Sequence, residues 1–276
     1  MAILTDISQF TNYIPTATGS NLDDLQSFLS EAEQWFESEI AGTDLYEYIA
    51  ASAETTPVRK QAQTAICLKA YLTAIPFVDL IQTDNGFAVV NNANHAPASK
   101  ERVDKLLRNV EHRLTVSLDM LFTWFMKDDV LRGEWQKAIF LFDRFTETVY
   151  LTTQELEHHA ARSSVTFSEL QGMHPLILKE QTDIARFISG EYMQELLDKR
   201  RNATLTEADG KAFAVVQNII GLRLQGIDTY HLIERLINWM TANPDEFPTY
   251  MQSTAYALKT APKYENKKRD STYFFG

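Results

Sequence analysis

A shift of 148 residues aligns residues 22–72 of this chain with residues 170–220 without a gap, and this self-similarity constrains the fold most. The matched pairs include Leu22 with Leu170, Ile40 with Ile188, Gly42 with Gly190 and Leu72 with Ile220. From Val103 onward the shift is 129, and the difference of 19 residues is the length of Leu80–Ala98. Self-similarity at a fixed spacing indicates repeated units. The chain is therefore predicted to contain two copies of one unit, although shared helical patterning of apolar residues would explain part of the agreement.

The apolar spacing predicts a mainly α-helical fold, a duplicated helical bundle with one β-hairpin insertion in the first copy. We assign residues 1–128 to copy one, 129–149 to a bridging helix, 150–256 to copy two and 257–276 to a basic and aromatic tail. Helices are predicted in copy one over Leu22–Ala41, Asp44–Ala51, Pro57 to near Pro76, and from Ser99 to Phe125.

The bridging helix is predicted over Gly133–Val149, with an inward face formed by Trp135, Ile139, Phe142 and Phe145. Copy two is predicted to begin with a polar lead-in, Thr152–Thr166. Helices then follow over Leu176–Ile188, Glu191–Leu197, the segment after Thr206, and Thr229–Ala242. Thr206 with Asp209 three residues later matches the spacing of a capping box.

The insert of copy one carries the hairpin signal. Val78–Thr83 and Phe87–Val90 are short and apolar, and Asp84-Asn85-Gly86 lies between them. Asn-Gly tolerates the positive φ angles of a type I′ turn. Because an isolated two-stranded hairpin is marginal in water, we expect this one to contact another chain through Leu80, Ile81, Asp84, Asn85, Gly86, Phe87 and Val89.

Charge is distributed unevenly. The net charge is −11, and the first 58 residues contain ten acidic residues and no basic one. Such a field repels a nucleic-acid backbone. We predict an acidic face that lines a DNA passage or meets a basic partner, formed by Asp23, Asp24, Glu31, Glu33, Glu37, Asp44 and Glu47. A solvated helix surface is the alternative.

No residue pattern predicts catalysis, a metal site or a cofactor. The adjacent His158 and His159 point about 100° apart on a helix and cannot share a ligand face. The pairs Glu155 with His159 and His231 with Glu234 have workable helical spacings, but neither has a third or fourth ligand nearby. Cys67 is the only cysteine and sits on an apolar stretch, so it is expected to be a buried apolar residue. No apolar run reaches the ~18 residues of a membrane span, and the first residues lack the basic segment of a signal peptide.

The tail is the most basic part of the sequence and ends in aromatic residues. Its cations and aromatics need partners or cover, so we predict a docking segment formed by Lys263, Lys267, Lys268, Arg269, Tyr273, Phe274 and Phe275. A frayed chain end is the alternative.

One segment resembles known proteins. Thr83-Asp84-Asn85-Gly86-Phe87-Ala88-Val89-Val90, followed by Ala96-Pro97-Ala98-Ser99-Lys100-Glu101-Arg102-Val103, is similar to an uncharacterised family from Bacteroides phages and prophages. The wider order of helices, hairpin and long closing helix resembles the head–tail connector proteins (adaptor or head-completion proteins) of tailed phages. This chain departs from them in being doubled.

The resemblance implies a structural virion protein of the neck, assembled in the host cytoplasm. It would form a ring, commonly of twelve subunits, beneath the portal protein, contact further neck or tail proteins, and extend the channel through which DNA passes without specific binding. No membrane partner is expected. The alternatives are a cellular helical-repeat scaffold or protein-interaction module and, less favoured by the residues, an enzyme of unrecognised class.

Overall fold

The computed structural model describes residues 2–4, 10–14, 25–78, 81–83, 86–88 and 99–262. These residues are mainly helical, which confirms the mainly α-helical part of the predicted fold class, while the duplication of the bundle stays a prediction. They divide into two compact units, unit 1 over Met1–His174 and unit 2 over Pro175–Gly276. The limits of the two predicted sequence copies stay a prediction. In the described part of the chain, no helix is both long enough and apolar enough to cross a membrane.

Unit 1 is built on two long helices. Its elements in chain order are α1 (Phe10–Tyr13), α2 (Gln26–Phe36), a π-helical turn (Glu37–Ala41), α3 (Thr43–Ala51), α4 (Pro57–Val78), strands β1 (Ile81–Thr83) and β2 (Gly86–Ala88), α5 (Lys100–Lys127), α6 (Asp129–Lys137), α7 (Ile139–Thr146) and α8 (Thr153–Ala160). Helix α9 (Phe167–Ile188) follows and contains the division between the units. Apolar side chains at helical spacing along α5 form its inward face: Val110, Leu114, Leu118, Leu121 and Phe125 are buried, and Val103 and Leu107 are half-buried.

Unit 2 contains shorter helices. After α9 come α10 (Gly190–Arg201), α11 (Glu207–Arg223), α12 (Tyr230–Ala242), α13 (Pro248–Met251) and α14 (Thr254–Thr260). Its core contains the buried side chains Tyr192, Leu196, Val216, Ile219, Ile233, Met240, Phe247 and Tyr250. The capping box predicted at Thr206 is confirmed, since Thr206 and Asp209 satisfy each other's backbone N–H groups.

The first predicted helix is interrupted. Helix α2 ends at Phe36, and a π-helical turn carries the chain to Gly42, whose N–H donates to the Glu37 carbonyl at 2.8 Å. Gly42 has φ +76°, and a Cβ on it would lie 2.3 Å from Ala138 Cβ. Both constraints require glycine here. Gly190 shares neither, because it lies inside α10 and the positive φ, +127°, falls on Ser189.

The single bridging helix predicted over Gly133–Val149 is wrong. The structure has two helices, α6 and α7, separated at Ala138, whose ψ of +64° is not helical. The break changes the direction of the following side chains: Trp135, Phe142 and Phe145 are buried as predicted, whereas Ile139 is 64% exposed. The break lies at Ala138, the residue that packs closely against Gly42.

Three further boundaries differ from prediction. Helix α4 continues past Pro76 to Val78, because a proline in the last turn removes only one of its terminal hydrogen bonds. The predicted polar lead-in Thr152–Thr166 contains helix α8. This helix begins with a capping box formed by Thr152 and Glu155. Helix α9 begins at Phe167, nine residues before the predicted start, and accommodates Pro175 internally.

Two short strands lie between α4 and α5. Strands β1 and β2 pair antiparallel, with Ile81 opposite Ala88 and Thr83 opposite Gly86. The predicted first strand starts too early, because Val78 is the last residue of α4. The turn residues Asp84 and Asn85 lie outside the described residues, as do Leu80 and Val89.

The core of unit 1 is rich in aromatic side chains. Trp135 is fully buried, with its ring centroid 5.6 Å from that of Phe122 and 5.4 Å from that of Phe125. Its Nε1 donates to the Ile40 carbonyl at 2.9 Å. This bond satisfies the one polar atom of the indole and ties α6 to the π-helical turn.

Candidate interaction surfaces

The described acidic residues of the predicted face divide into outward and inward ones. Glu31, Asp44 and Glu47 are exposed, whereas Glu33 and Glu37 are half-buried. The Leu4 N–H donates to Glu33 Oε1 at 2.9 Å, and the Thr43 hydroxyl donates to Glu37 at 3.2 Å. These two carboxylates therefore serve internal contacts. Asp23 and Asp24 lie outside the described residues.

Cations of unit 1 offset part of this acidic surface. Arg144 donates to Glu39 at 2.9 Å, and Lys137 Nζ lies 3.7 Å from Asp44. Exposed pairs of this kind contribute little stability, but they lower the local field. No described cation pairs with Glu31 or Glu47. The outward acidic face is thus smaller than the sequence indicates, and Glu31 and Glu47 are its strongest members.

Glu33 also affects two neighbouring groups. Burial, followed by the charge of Glu33, raises the pKa of Tyr46 to about 12. Burial and then Glu33 likewise raise the pKa of the Cys67 thiol well above its usual value. A thiol reacts as its thiolate, so Cys67 is held in the inert form, consistent with its predicted place in the core.

The hairpin and tail residues are described only in part. Ile81, Gly86 and Phe87 are in the antiparallel pair, where Phe87 lies opposite Gln82. Leu80, Asp84, Asn85 and Val89 lie outside the described residues. So do all the tail residues predicted to dock, namely Lys263, Lys267, Lys268, Arg269, Tyr273, Phe274 and Phe275.

Two buried aspartates hold helix N-termini. Asp119 of α5 accepts from the Thr153 N–H at 3.0 Å, the Thr153 hydroxyl at 2.7 Å and the Gln154 N–H at 3.1 Å, all at the start of α8. Asp209 of α11 accepts from Lys199 Nζ at 2.8 Å, the Tyr192 hydroxyl at 3.2 Å and the Thr206 hydroxyl at 2.8 Å. Both arrangements satisfy structural donors. Among the described residues, no group of His, Cys, Asp and Glu could hold a metal ion.

Two features with binding potential were not predicted. The first is a pair of exposed apolar side chains at the break between α6 and α7: Ile139 and Phe140, the latter 92% exposed. The second is an apolar groove between α11 and α12 in unit 2, with a volume of about 530 Å³. The first was missed because a continuous helix would have turned Ile139 inward. The second was missed because a groove depends on helix packing that periodicity does not specify.

The chain belongs to a family of unknown function (DUF6712), whose model matches residues 14–129 and 223–260. The match covers helices α2 to α5 in unit 1 and α12 to α14 in unit 2. No curated protein and no solved structure matches the chain.

Proposed function

We propose that this protein is a structural component of a tailed-phage neck, a connector that forms an oligomeric ring at the portal vertex, joins head to tail and extends the DNA channel. The observation that carries the proposal is the order of elements in unit 1. The short helix α3 precedes two long packed helices, α4 and α5, and a two-stranded hairpin lies between these two in sequence. That is the order on which the resemblance to connector proteins rests.

The hairpin supports an assembly role. In the described residues, β1 and β2 pair only with each other, so the outer edge of each strand has no strand partner among them. Free strand edges are sites of strand addition, and two three-residue strands have little stability of their own. Contact with a neighbouring subunit or the portal would supply the missing pairing.

The order of helices in unit 2 supports the duplicated design. A shift of 148 places α3 on residues 191–199, inside α10, and α4 on residues 205–226, which include all of α11. A shift of 129 places the start of α5 at residue 229, next to the start of α12. Under this proposal the hairpin is an insertion in the first of two copies, and superposition of residues 26–78 on 174–226 tests that relation.

The uneven charge is compatible with a channel. A surface with unpaired carboxylates such as Glu31 and Glu47 repels phosphates and lets DNA move without being held. In this proposal the acidic face of unit 1 lines the passage or meets a basic partner. The tail at Lys263–Arg269 of a neighbour has the charge to act as that partner.

The test is electron microscopy of the purified protein, alone and mixed with its portal protein. We expect rings that stack on the portal, and a variant lacking Leu80–Ala98 should stay folded but fail to join it. A protein that stays monomeric at high concentration and does not bind the portal would overturn the proposal and favour a helical-repeat scaffold. Normal assembly of the deletion variant would show only that the hairpin is not the contact.

A further inference from the structure

The most exposed large apolar side chain described in this protein is Phe140, at 92%, and its neighbour Ile139 is 64% exposed. We call this pair the apolar knob. Its base is fixed, because Ala138 abuts Gly42, and Trp135 and Phe142 on either side are buried. Aromatic side chains presented on a rigid base are typical anchors of protein interfaces. The knob is therefore suited to insert into an apolar pocket.

The groove between α11 and α12 has the complementary character. Its floor consists of Val215, Leu232, Leu236 and Trp239, and the Trp239 ring is held edge-on to Phe247 at 4.9 Å. The cations Lys211 and Arg235 lie exposed along it, and Lys211 is paired with Glu207 at 2.6 Å. In the described part of the chain the Arg235 guanidinium has no hydrogen bond or ion pair. Two packed helices with an apolar groove and a cationic rim favour an apolar segment that carries negative charge.

Charge determines which surface such a groove accepts. Unit 1 contains 24 acidic and 13 basic residues, whereas unit 2 contains 13 of each, so the whole net charge of −11 belongs to unit 1. The knob lies in unit 1, with Asp143 one turn after Ile139 on α7. Arg235 therefore faces an acidic body when the groove receives the knob.

A second apolar pocket is a weaker candidate for the knob. It has a volume of about 420 Å³ and is lined by Pro57, Val58, Trp124 and Leu131 with Lys127 and Asp128. This pocket belongs to unit 1, so inserting the knob of a second copy would bring two acidic units together. Repulsion between like-charged surfaces disfavours that contact.

We propose that the knob of one copy inserts into the α11–α12 groove of a second copy of this chain. The contact joins different surfaces of identical chains, which is the head-to-tail arrangement that closes into a ring when the rotation is suitable. This inference rests on the proposed function in one respect, namely that the protein assembles with itself. It goes further by naming the surfaces that meet.

Site-directed cross-linking tests the contact. A chain with Phe140→Cys is mixed with a chain with Val215→Cys and treated with a short bis-maleimide. Native Cys67 is fully buried and its pKa is raised, so it should not react. We expect a cross-linked dimer only in the mixture. The matched control replaces Val215→Cys with Val58→Cys in the other pocket, and this mixture should give no product.

Self-association of single variants gives the second readout. Phe140→Asp should weaken assembly on the order of 30-fold, the loss expected for an interface anchor, and Phe140→Leu should retain most of it. Val130→Asp, which changes another exposed apolar residue of unit 1, is the control and should assemble normally.

Three outcomes overturn the inference. Rings that form normally from Phe140→Asp would exclude the knob while leaving the connector proposal intact. A product with Val58→Cys but not with Val215→Cys would place the knob in the other pocket. A wild-type chain that does not assemble but binds lipid vesicles through Phe140, together with no cross-linked product from the Phe140→Cys and Val215→Cys mixture, would reject both the contact and the ring.

Discussion

Asp119 in unit 1 and Asp209 in unit 2 occupy similar places, but the pKa values of their carboxyl groups shift in opposite directions. Each is almost fully buried, and the carboxylate of each accepts from a backbone N–H at a helix N-terminus, Asp119 from Thr153 and Asp209 from Thr206. Burial raises the pKa of Asp119, and its hydrogen bonds from Thr153 and Gln154 only partly oppose this. Burial also acts to raise the pKa of Asp209, but the hydrogen bonds from Lys199 and Thr206 outweigh it, so the pKa falls below its ordinary value. The decisive difference is the cation Lys199.

The complete set of partners around a buried carboxylate determines the direction in which its pKa shifts. Neutral N–H and O–H donors satisfy the oxygens of Asp119 but leave the cost of desolvating its charge only partly offset. Lys199 adds a charge-assisted bond at Asp209 and also pairs with Glu195 at 2.6 Å. Unit 2 thus depends on an ion pair where unit 1 depends on helix-end hydrogen bonds.

The largest effect should come from removing that cation. Lys199→Met leaves Asp209, 1% exposed, without its counter-charge, and we expect a loss of about 3 kcal/mol in the stability of unit 2. This is the lower end of the cost of breaking a buried pair, because Lys199 keeps some contact with water. The measurement is amide hydrogen exchange of α11, which reports the local loss of stability. Lys211→Met, which removes an exposed pair with Glu207, is the control and should leave exchange unchanged.

The counterpart in unit 1 is Asp119→Ala. This change leaves the Thr153 N–H, the Thr153 hydroxyl and the Gln154 N–H without their acceptor. Unsatisfied donors of this kind cost about 2 kcal/mol, and faster amide exchange in α8 should reveal the loss. Asp104→Ala, at an exposed position of the same helix, should have no effect. Equal protection of α8 in both variants would show that Asp119 does not hold this helix.

The sequence predicted the role of Asp209 as a helix cap but not the contact between Asp119 and α8. Thr206 and Asp209 are three residues apart, so local spacing was sufficient to predict their capping box. Asp119 and Thr153 are 34 residues apart in sequence, and no helical period links them. The same limit applies to the break at Ala138, which depends on the distant Gly42. Local patterns were sufficient to predict most helices. The contacts that reorient side chains, and with them the exposure of the apolar knob, could be found only from the tertiary structure.

The two helix caps offer a smaller test. Thr152 caps α8 and Thr206 caps α11, and each belongs to a capping box. Thr206→Ala should cost about 1 kcal/mol, because α11 loses its cap and Asp209 loses a donor. Thr152→Ala should cost less, since Asp119 still accepts from the next two N–H groups of α8. Thr→Ser at either position should restore stability. A larger loss at Thr152 would contradict the view that Asp119 supports this end of α8.

The smallest expected effect is a difference in the sign of pH dependence. For Asp119, whose pKa in the folded chain lies above the ordinary 3.8, the folded state binds more protons than the unfolded state just above that value. Stability therefore falls as pH rises through this window. For Asp209 the folded pKa lies below 3.8, so the unfolded state binds more protons just below it, and stability is lost as pH falls through that lower window. The stability of wild type relative to Asp119→Asn should thus decrease with rising pH, while that relative to Asp209→Asn should increase. Denaturant titrations at a series of acidic pH values, with α8 and α11 followed separately by hydrogen exchange, measure both slopes.

Slopes of the same sign would mean that Lys199 does not cause the difference between the pKa shifts of Asp119 and Asp209. Combining Lys199→Met with the pH series sharpens the result, because loss of the cation should reverse the slope at Asp209 and make it resemble Asp119.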